Sequence, residues 1–209
     1  MAMSGESSIA EFEEKHNFRL AENQKLAVMD ALKGGVLVIT GGPGTGKSSI
    51  VHSLEKSGFP CIHEISREVI LEAQKQGIEQ LFLEDPLLFS RKLLEARKKQ
   101  HEDTASFKEP VFLDRGIPDV LAYLKYLGTP SPELFSEACE NYKYRQVFIL
   151  PPWKEIYLND NERYESFEQA ESIFQHLKNT YLSFGYQLLE VPKISVEGRK
   201  DFILNNLEM

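Results

Sequence analysis

The sequence predicts an α/β fold, a parallel sheet with helices on both faces. Three observations predict it. Val36-Leu37-Val38-Ile39-Thr40 is a short continuous apolar run, the pattern of a strand buried on both faces. Gly41-Gly42-Pro43-Gly44-Thr45-Gly46-Lys47-Ser48 follows it as a complete G-x-x-x-x-G-K-[ST] pattern, with a helical segment directly behind. Short apolar runs then alternate with helical periods to the end of the chain, as parallel crossover units do.

The elements follow in order. Residues 1–20 read as a partly flexible N-terminal extension, and 21–209 as a single domain. Ala21 to Leu32 carries apolar residues near helical spacing, and Gly34-Gly35 ends that helix. After the first strand and the glycine-rich turn, a helix is expected from Lys47 to Lys56, stopped by Gly58 and Pro60. Pro60 to His63 reads as the second strand and Ser66 to Gln76 as a helix ended by Gly77. Pro86 to His101 reads as a longer helix with Leu87, Leu88, Leu93 and Leu94 on its apolar side. Val111-Phe112-Leu113 is the third strand, followed by helices over Ile117–Leu127 and Pro132–Tyr142. Gln146 to Leu150 is the fourth strand, stopped by Pro151-Pro152. A helix over Ser166–Phe184, a fifth strand over Gln187–Val191 and a helix over Ser195–Leu207 complete the chain.

Composition narrows the function. The 209 residues have an ordinary globular balance, 42% hydrophobic and 27% charged. The net charge of −8 disfavours non-specific nucleic-acid binding, which draws its affinity from phosphate neutralisation. Cys61 and Cys139 lack metal-ligand spacing, and Cys61 reads as a buried hydrophobe. Met1 to Ala10 has no signal-peptide pattern, and no apolar run approaches the ~18 residues of a membrane span. A cytoplasmic, reduced protein is the expectation.

The glycine-rich motif carries the chemistry. Glycines let successive backbone amides turn inward around phosphate oxygens, and the helix behind adds its N-terminal dipole. Gly42, Gly44, Thr45, Gly46, Lys47, Ser48 and Ser49 are therefore expected to bind the nucleotide. Lys47 would hold the β- and γ-phosphates and Ser48 would give its hydroxyl to Mg²⁺. No guanine-reading N/T-K-x-D motif is present, which favours ATP over GTP.

Three further segments bear on the phosphate acceptor. Asp114 and Arg115 follow the third strand and should emerge at the mouth of the sheet, where open α/β folds bind ligands. Asp114 can contact Mg²⁺ or accept a proton from a substrate hydroxyl, or it can simply cap the next helix. Arg115 can clamp an anionic substrate. Arg67 and Glu68, just after the second strand, lie on the same edge and can face the acceptor; ordinary first-turn helix chemistry is the competing explanation. Asn159 to Glu165 is a polar stretch containing Arg163.

Together, GGPGTGKSS, EISREVI, VFLDRGIPDVLAYL, FILPPWKEIYLNDNERYESF and YQLLEVP resemble the AAA-domain family of small P-loop ATPases related to the NadR-type kinase domain. More distantly, RE after the second strand and DR after the third resemble thymidylate kinase and the deoxynucleoside kinases. The resemblance spans residues 35–207 and implies a P-loop NTPase of kinase-like build with strand order 2-3-1-4-5. It also implies a lid over the polar stretch, where Arg163 would meet the transferring phosphoryl group; a solvated loop is the competing explanation. Gln24, ahead of the loop, resembles the adenine-reading glutamine of superfamily-one helicases, and reads equally as a surface helix residue.

Arg91, Lys92, Arg97, Lys98 and Lys99 form a basic stretch that reads as a solvated helix face or, if it faces the cleft, as a surface for an anionic acceptor. Trp153 beside two prolines either shapes the nucleotide region or packs. The resulting expectation is Mg²⁺-assisted transfer of the ATP γ-phosphoryl group to a nucleoside, nucleotide or vitamin-like acceptor, with no stable nucleic-acid or membrane partner. Lys47, Asp114 and Arg163 are the catalytic candidates. The rival is a nucleotide-dependent regulatory ATPase or GTPase acting through a protein or lipid. A kinase should carry an enclosed acceptor site between the helices of 64–109 and Asp114; a regulator should expose an apolar patch there.

Overall fold

The structure, a computed structural model, describes residues 35–75, 77–78, 81–107, 109–157 and 166–207. The N-terminal extension 1–20, the helix expected over Ala21–Leu32 with Gln24, and the polar stretch with Arg163 lie outside the described residues.

Five parallel strands form one sheet in the order β2-β3-β1-β4-β5. They are β1 (Val36–Gly41), β2 (Cys61–Ile62), β3 (Val111–Asp114), β4 (Gln146–Leu150) and β5 (Leu188–Glu190). Among the described residues the helices are α1 (Lys47–Lys56), α2 (Ser66–Lys75), α3 (Leu81–Glu84), α4 (Pro86–Asp103), α5 (Ile117–Tyr126), α6 (Glu133–Asn141), α7 (Phe167–Ser183) and α8 (Val196–Asn205). The expected strand order is observed. The two outer strands are shorter than their apolar patterns predict, and the one-turn helix α3 was not expected.

The continuous apolar runs are explained by burial on both faces. Along β1, Leu37 and Ile39 join a core with Ile50, Val51 and Leu54 of α1 and Ile203 and Leu204 of α8. Val38 points the other way, into a cluster with Val111, Leu113, Val147 and Tyr181 of α7. Period-2 alternation thus delivers apolar side chains to two cores, so no position can be polar without a partner. A further cluster joins α4, α5 and α6 through Leu93, Leu94, Leu121, Leu124 and Phe135. Leu88 of α4 is exposed, so the apolar side of that helix is narrower than its leucines suggest.

Register fixes the functional edge. Ile39 of β1 lies beside Asp114 of β3, and Gly41 beside Leu150 of β4. The Arg115 amide donates to the Ile39 carbonyl at 3.0 Å, so the ladder continues just past β3. The loop after β1 and the Asp114-Arg115 pair therefore emerge side by side at the C-terminal ends of the strands.

Candidate phosphoryl-transfer site

The glycine-rich segment leaves β1 and turns directly into α1. Gly44 and Gly46 have φ of +71° and +73°, a left-handed region that side chains rarely adopt. Thr45 is buried, and its hydroxyl donates to the Gly42 carbonyl at 3.0 Å, which braces the turn internally. Gly46 precedes Lys47 as the N-cap of α1 and offers no side chain there, leaving the first amides of the helix without a side-chain cap. Ser48 and Ser49 are exposed in the first turn.

Lys47 is buried and its Nζ is ion-paired with Asp114 Oδ1. Burial and the neighbouring Arg115 guanidinium lower the Lys47 pKa, and Asp114 acts against them. The phosphate-loop lysine and the acid at the end of β3 are thus brought together, as the sequence predicts. Asp114 does not cap the next helix. That role belongs to Asp119, whose Oδ2 accepts from the Gly116 amide at 3.0 Å.

Arg115 adopts φ +73°, the one non-glycine residue at positive φ among the described residues. Its Nε meets Glu64 Oε2 at 2.5 Å and its Nη1 lies 3.5 Å from Asp119 Oδ1. The guanidinium also lies over the Tyr123 ring, 5.4 Å from the centroid. Asp119 is a hub: Thr40 Oγ1 and Tyr181 OH each donate to it at 2.6 Å. Gly116 belongs to this packing, because a Cβ there would stand 2.6 Å from the Tyr181 hydroxyl.

Glu64 is the residue that the sequence reading missed. It lies just past β2, accepts from Arg97 Nη2 at 2.7 Å and from the Ser66 amide at 3.1 Å, and pairs with Arg115. Burial works against its ionised form, but Arg97 and Arg115 prevail and hold its pKa near about 2. The available signal was an acid directly after a strand, the same signal that singled out Asp114. Arg67 and Glu68, three and four residues on, are exposed in the first turn of α2.

Arg97 departs from the solvated face that the basic stretch suggests. It is 2% exposed, bonded to Glu64 and, at 3.4 Å, to the Asp114 carbonyl. Arg91 and Lys99 remain exposed. Helical geometry separates them, since Arg97 falls on the face that holds Leu93 and Leu94. Cys61 is half-buried, not fully buried, and Trp153 packs against Arg199 of α8. Among the described residues, no group of three or more His, Cys, Asp or Glu is arranged to hold a metal ion, and no helix is long and apolar enough to cross a membrane.

Comparison with known proteins agrees with the fold. The model of a family described as AAA domain matches residues 36–199. Among solved structures, the chain is similar to a deoxyadenosine kinase from M. mycoides with the products dCMP and dCDP bound. The TM-score is 0.63 and the identity 18%, over 82% of this chain and 98% of that one. The same kinase with bound dATP matches with a TM-score of 0.57 and 17% identity, over 83% and 99% of the two chains. A NadR protein in complex with NR matches with a TM-score of 0.62 and 18% identity, over 95% of this chain but 55% of that one. No curated protein matches the chain.

Proposed function

The chain belongs to the AAA-domain family, matched from 36 to 199, and from that premise we propose that it is a small-molecule kinase using ATP and Mg²⁺. One observation carries the reading. The Lys47–Asp114 pair and the Glu64–Arg115 pair form a single polar group at one sheet edge, in which Glu64 and Lys47 influence each other's charge. One pair suits a triphosphate and the other a polar acceptor. Between α4 and β3 the buried guanidinium of Arg97 is held by Glu64 and the Asp114 carbonyl, and this charged lining supports the kinase reading.

The residues fit a nucleoside triphosphate and Mg²⁺. The left-handed glycines leave loop amides free of side chains, and Ser48 exposes a hydroxyl at the start of α1. Ser48 and Asp114 would hold Mg²⁺, the rest of its shell coming from phosphate and water. When bound, Mg²⁺ would neutralise phosphate charge during in-line displacement. Gly42, Gly44, Thr45, Gly46 and Ser49 would surround the phosphates, and Lys47 would exchange its bond to Asp114 for phosphate oxygens. Arg115 would orient the acceptor, with Arg67 and Glu68 available at the rim. Glu64, ionised throughout, would accept the hydrogen bond of the incoming hydroxyl, and Asp114 would take its proton or steady the metal. Arg163 would offset charge on the transferring phosphoryl group.

The acceptor class proposed is a nucleoside, nucleotide or vitamin-like hydroxyl compound, a reading supported by the kinases of similar fold. The test is ADP formation from Mg·ATP in the presence of such compounds. A kinase makes a phosphorylated acceptor stoichiometric with ADP. Acceptor-independent hydrolysis alone would overturn the reading and favour a regulatory NTPase.

A further inference from the structure

Arg199 stands outside the machinery described so far, yet it touches the phosphate loop. It sits in the first turns of α8, which Ser195 opens by accepting from the Gly198 amide at 3.1 Å. Helix α8 lies along α1 through Ile203 and Leu204, and Ser53 of α1 donates to Glu197 Oε1 at 2.9 Å. That packing aims Arg199 at the loop. Its Nη1 donates to the Thr45 carbonyl at 2.9 Å, and its guanidinium lies 5.3 Å from the centre of the Trp153 ring. A Cβ on Gly46 would stand 2.9 Å from Nη1, so the loop and the arginine are in close contact.

The charge of Arg199 is unusual. The residue is 4% exposed, and among the described residues no carboxylate pairs with it. Its Nε is buried without a hydrogen-bond partner. Burial lowers its pKa, and among the described residues no acid acts against it. Arg97, equally buried, is matched by Glu64. A buried cation without a counter-charge costs stability in the free protein. The Trp153 face recovers part of that cost. The remaining positive charge sits on the Thr45 carbonyl, beside Gly46 at the start of α1.

We propose that Arg199 is a positioning residue for the phosphate loop: it clamps the Thr45 carbonyl and supplies a positive charge that a bound triphosphate compensates. This rests on the nucleotide reading above. Loop carbonyls point outward when loop amides point inward, so a donor held on Thr45 from outside keeps the amides turned to the ligand. The field of the guanidinium then adds to that of Lys47 and the α1 N-terminus.

The proposal separates affinity from stability. A structural arginine would lower the unfolding midpoint when removed and leave nucleotide affinity in the folded protein intact. A charge held for the ligand does the opposite. The experiment titrates Mg·ATP into the full chain by calorimetry and measures midpoints without nucleotide for the parent, Arg199→Met, Arg199→Lys and Lys47→Ala. Arg199→Met should weaken ATP binding by about tenfold or more with an unchanged or higher midpoint. Arg199→Lys, which keeps a charge and a donor, should return affinity to within a few-fold of the parent. Parental affinity in Arg199→Met, or an affinity loss that only follows a lower midpoint, overturns the proposal while Lys47→Ala still reports on the loop. If neither the parent nor any variant binds ATP, the nucleotide reading falls, and this proposal with it.

Discussion

Arg115 meets Glu64 at 2.5 Å across the mouth of the sheet, and does so from a left-handed backbone with φ +73°. An L-residue in that region costs roughly 1 kcal/mol. The conformation persists because the surroundings over-determine it. The Arg115 amide is tied to Ile39, its guanidinium to Glu64, and the next residue's amide to Asp119. Strain and ion pairing thus coincide at one residue, on the edge that faces the phosphate loop.

Asp119→Ala should be the most destabilising change in this region. Thr40, Tyr181 and Gly116 would all lose their acceptor in a buried place. A loss of about 2–4 kcal/mol follows from leaving such donors unsatisfied. Chemical denaturation measures it; a loss under about 0.5 kcal/mol, the usual surface value, would remove Asp119 as a hub.

Glu64→Gln should destabilise the protein in a pH-dependent way. The folded pKa is about 2 against an ordinary 4.5, so the carboxylate contributes stability above the unfolded value. That contribution is at most about 3 kcal/mol, and it is lost as pH falls from 4.5 through about 2. Unfolding midpoints of the parent and Glu64→Gln should therefore differ at pH 7 and converge in strong acid. A gap that stays constant with pH would contradict the ion-pair account.

Lys47→Ala should fold but bind ATP far more weakly. Its unfolding midpoint should also fall, because Asp114, 3% exposed, loses its counter-charge. Nucleotide titration and thermal unfolding read the two effects. Unchanged affinity and unchanged midpoint together would exclude the loop from nucleotide binding and the pair from the fold.

Asp114→Asn removes the charge and keeps the shape. ATP affinity should stay within a few-fold, and phosphoryl transfer should drop by ~10²-fold or more, the usual scale for an acid–base or metal contact. Turnover near the parental rate would return Asp114 to a purely structural role as the partner of Lys47.

Neither cysteine should react readily in the native protein. Burial pushes both the Cys61 and Cys139 thiols up to about 12. A thiol reagent at neutral pH should modify them at the rate of unfolding, not at the rate of a free thiol. Rapid labelling of half-buried Cys61 would contradict that environment.

The phosphate loop and the alternation of strands and helices were legible in the sequence because both are local. A cradle of successive amides needs glycines close together in the chain, and a strand buried on both faces needs an unbroken apolar run. Asp114 and Arg115 were legible for the same reason: the end of a buried strand must emerge at the sheet edge. The partners of these groups were decided by tertiary structure alone. Glu64 and Arg97 are 33 positions apart, and Arg199 and Thr45 are 154 apart. Arg97 in a basic run and Arg199 in a final helix look like solvated charges until another element covers them. Whether a charged side chain is solvated, paired or held in reserve depends on which helix packs over it. That is set by how α4 and α8 lie against the sheet, not by the residues beside it in the chain.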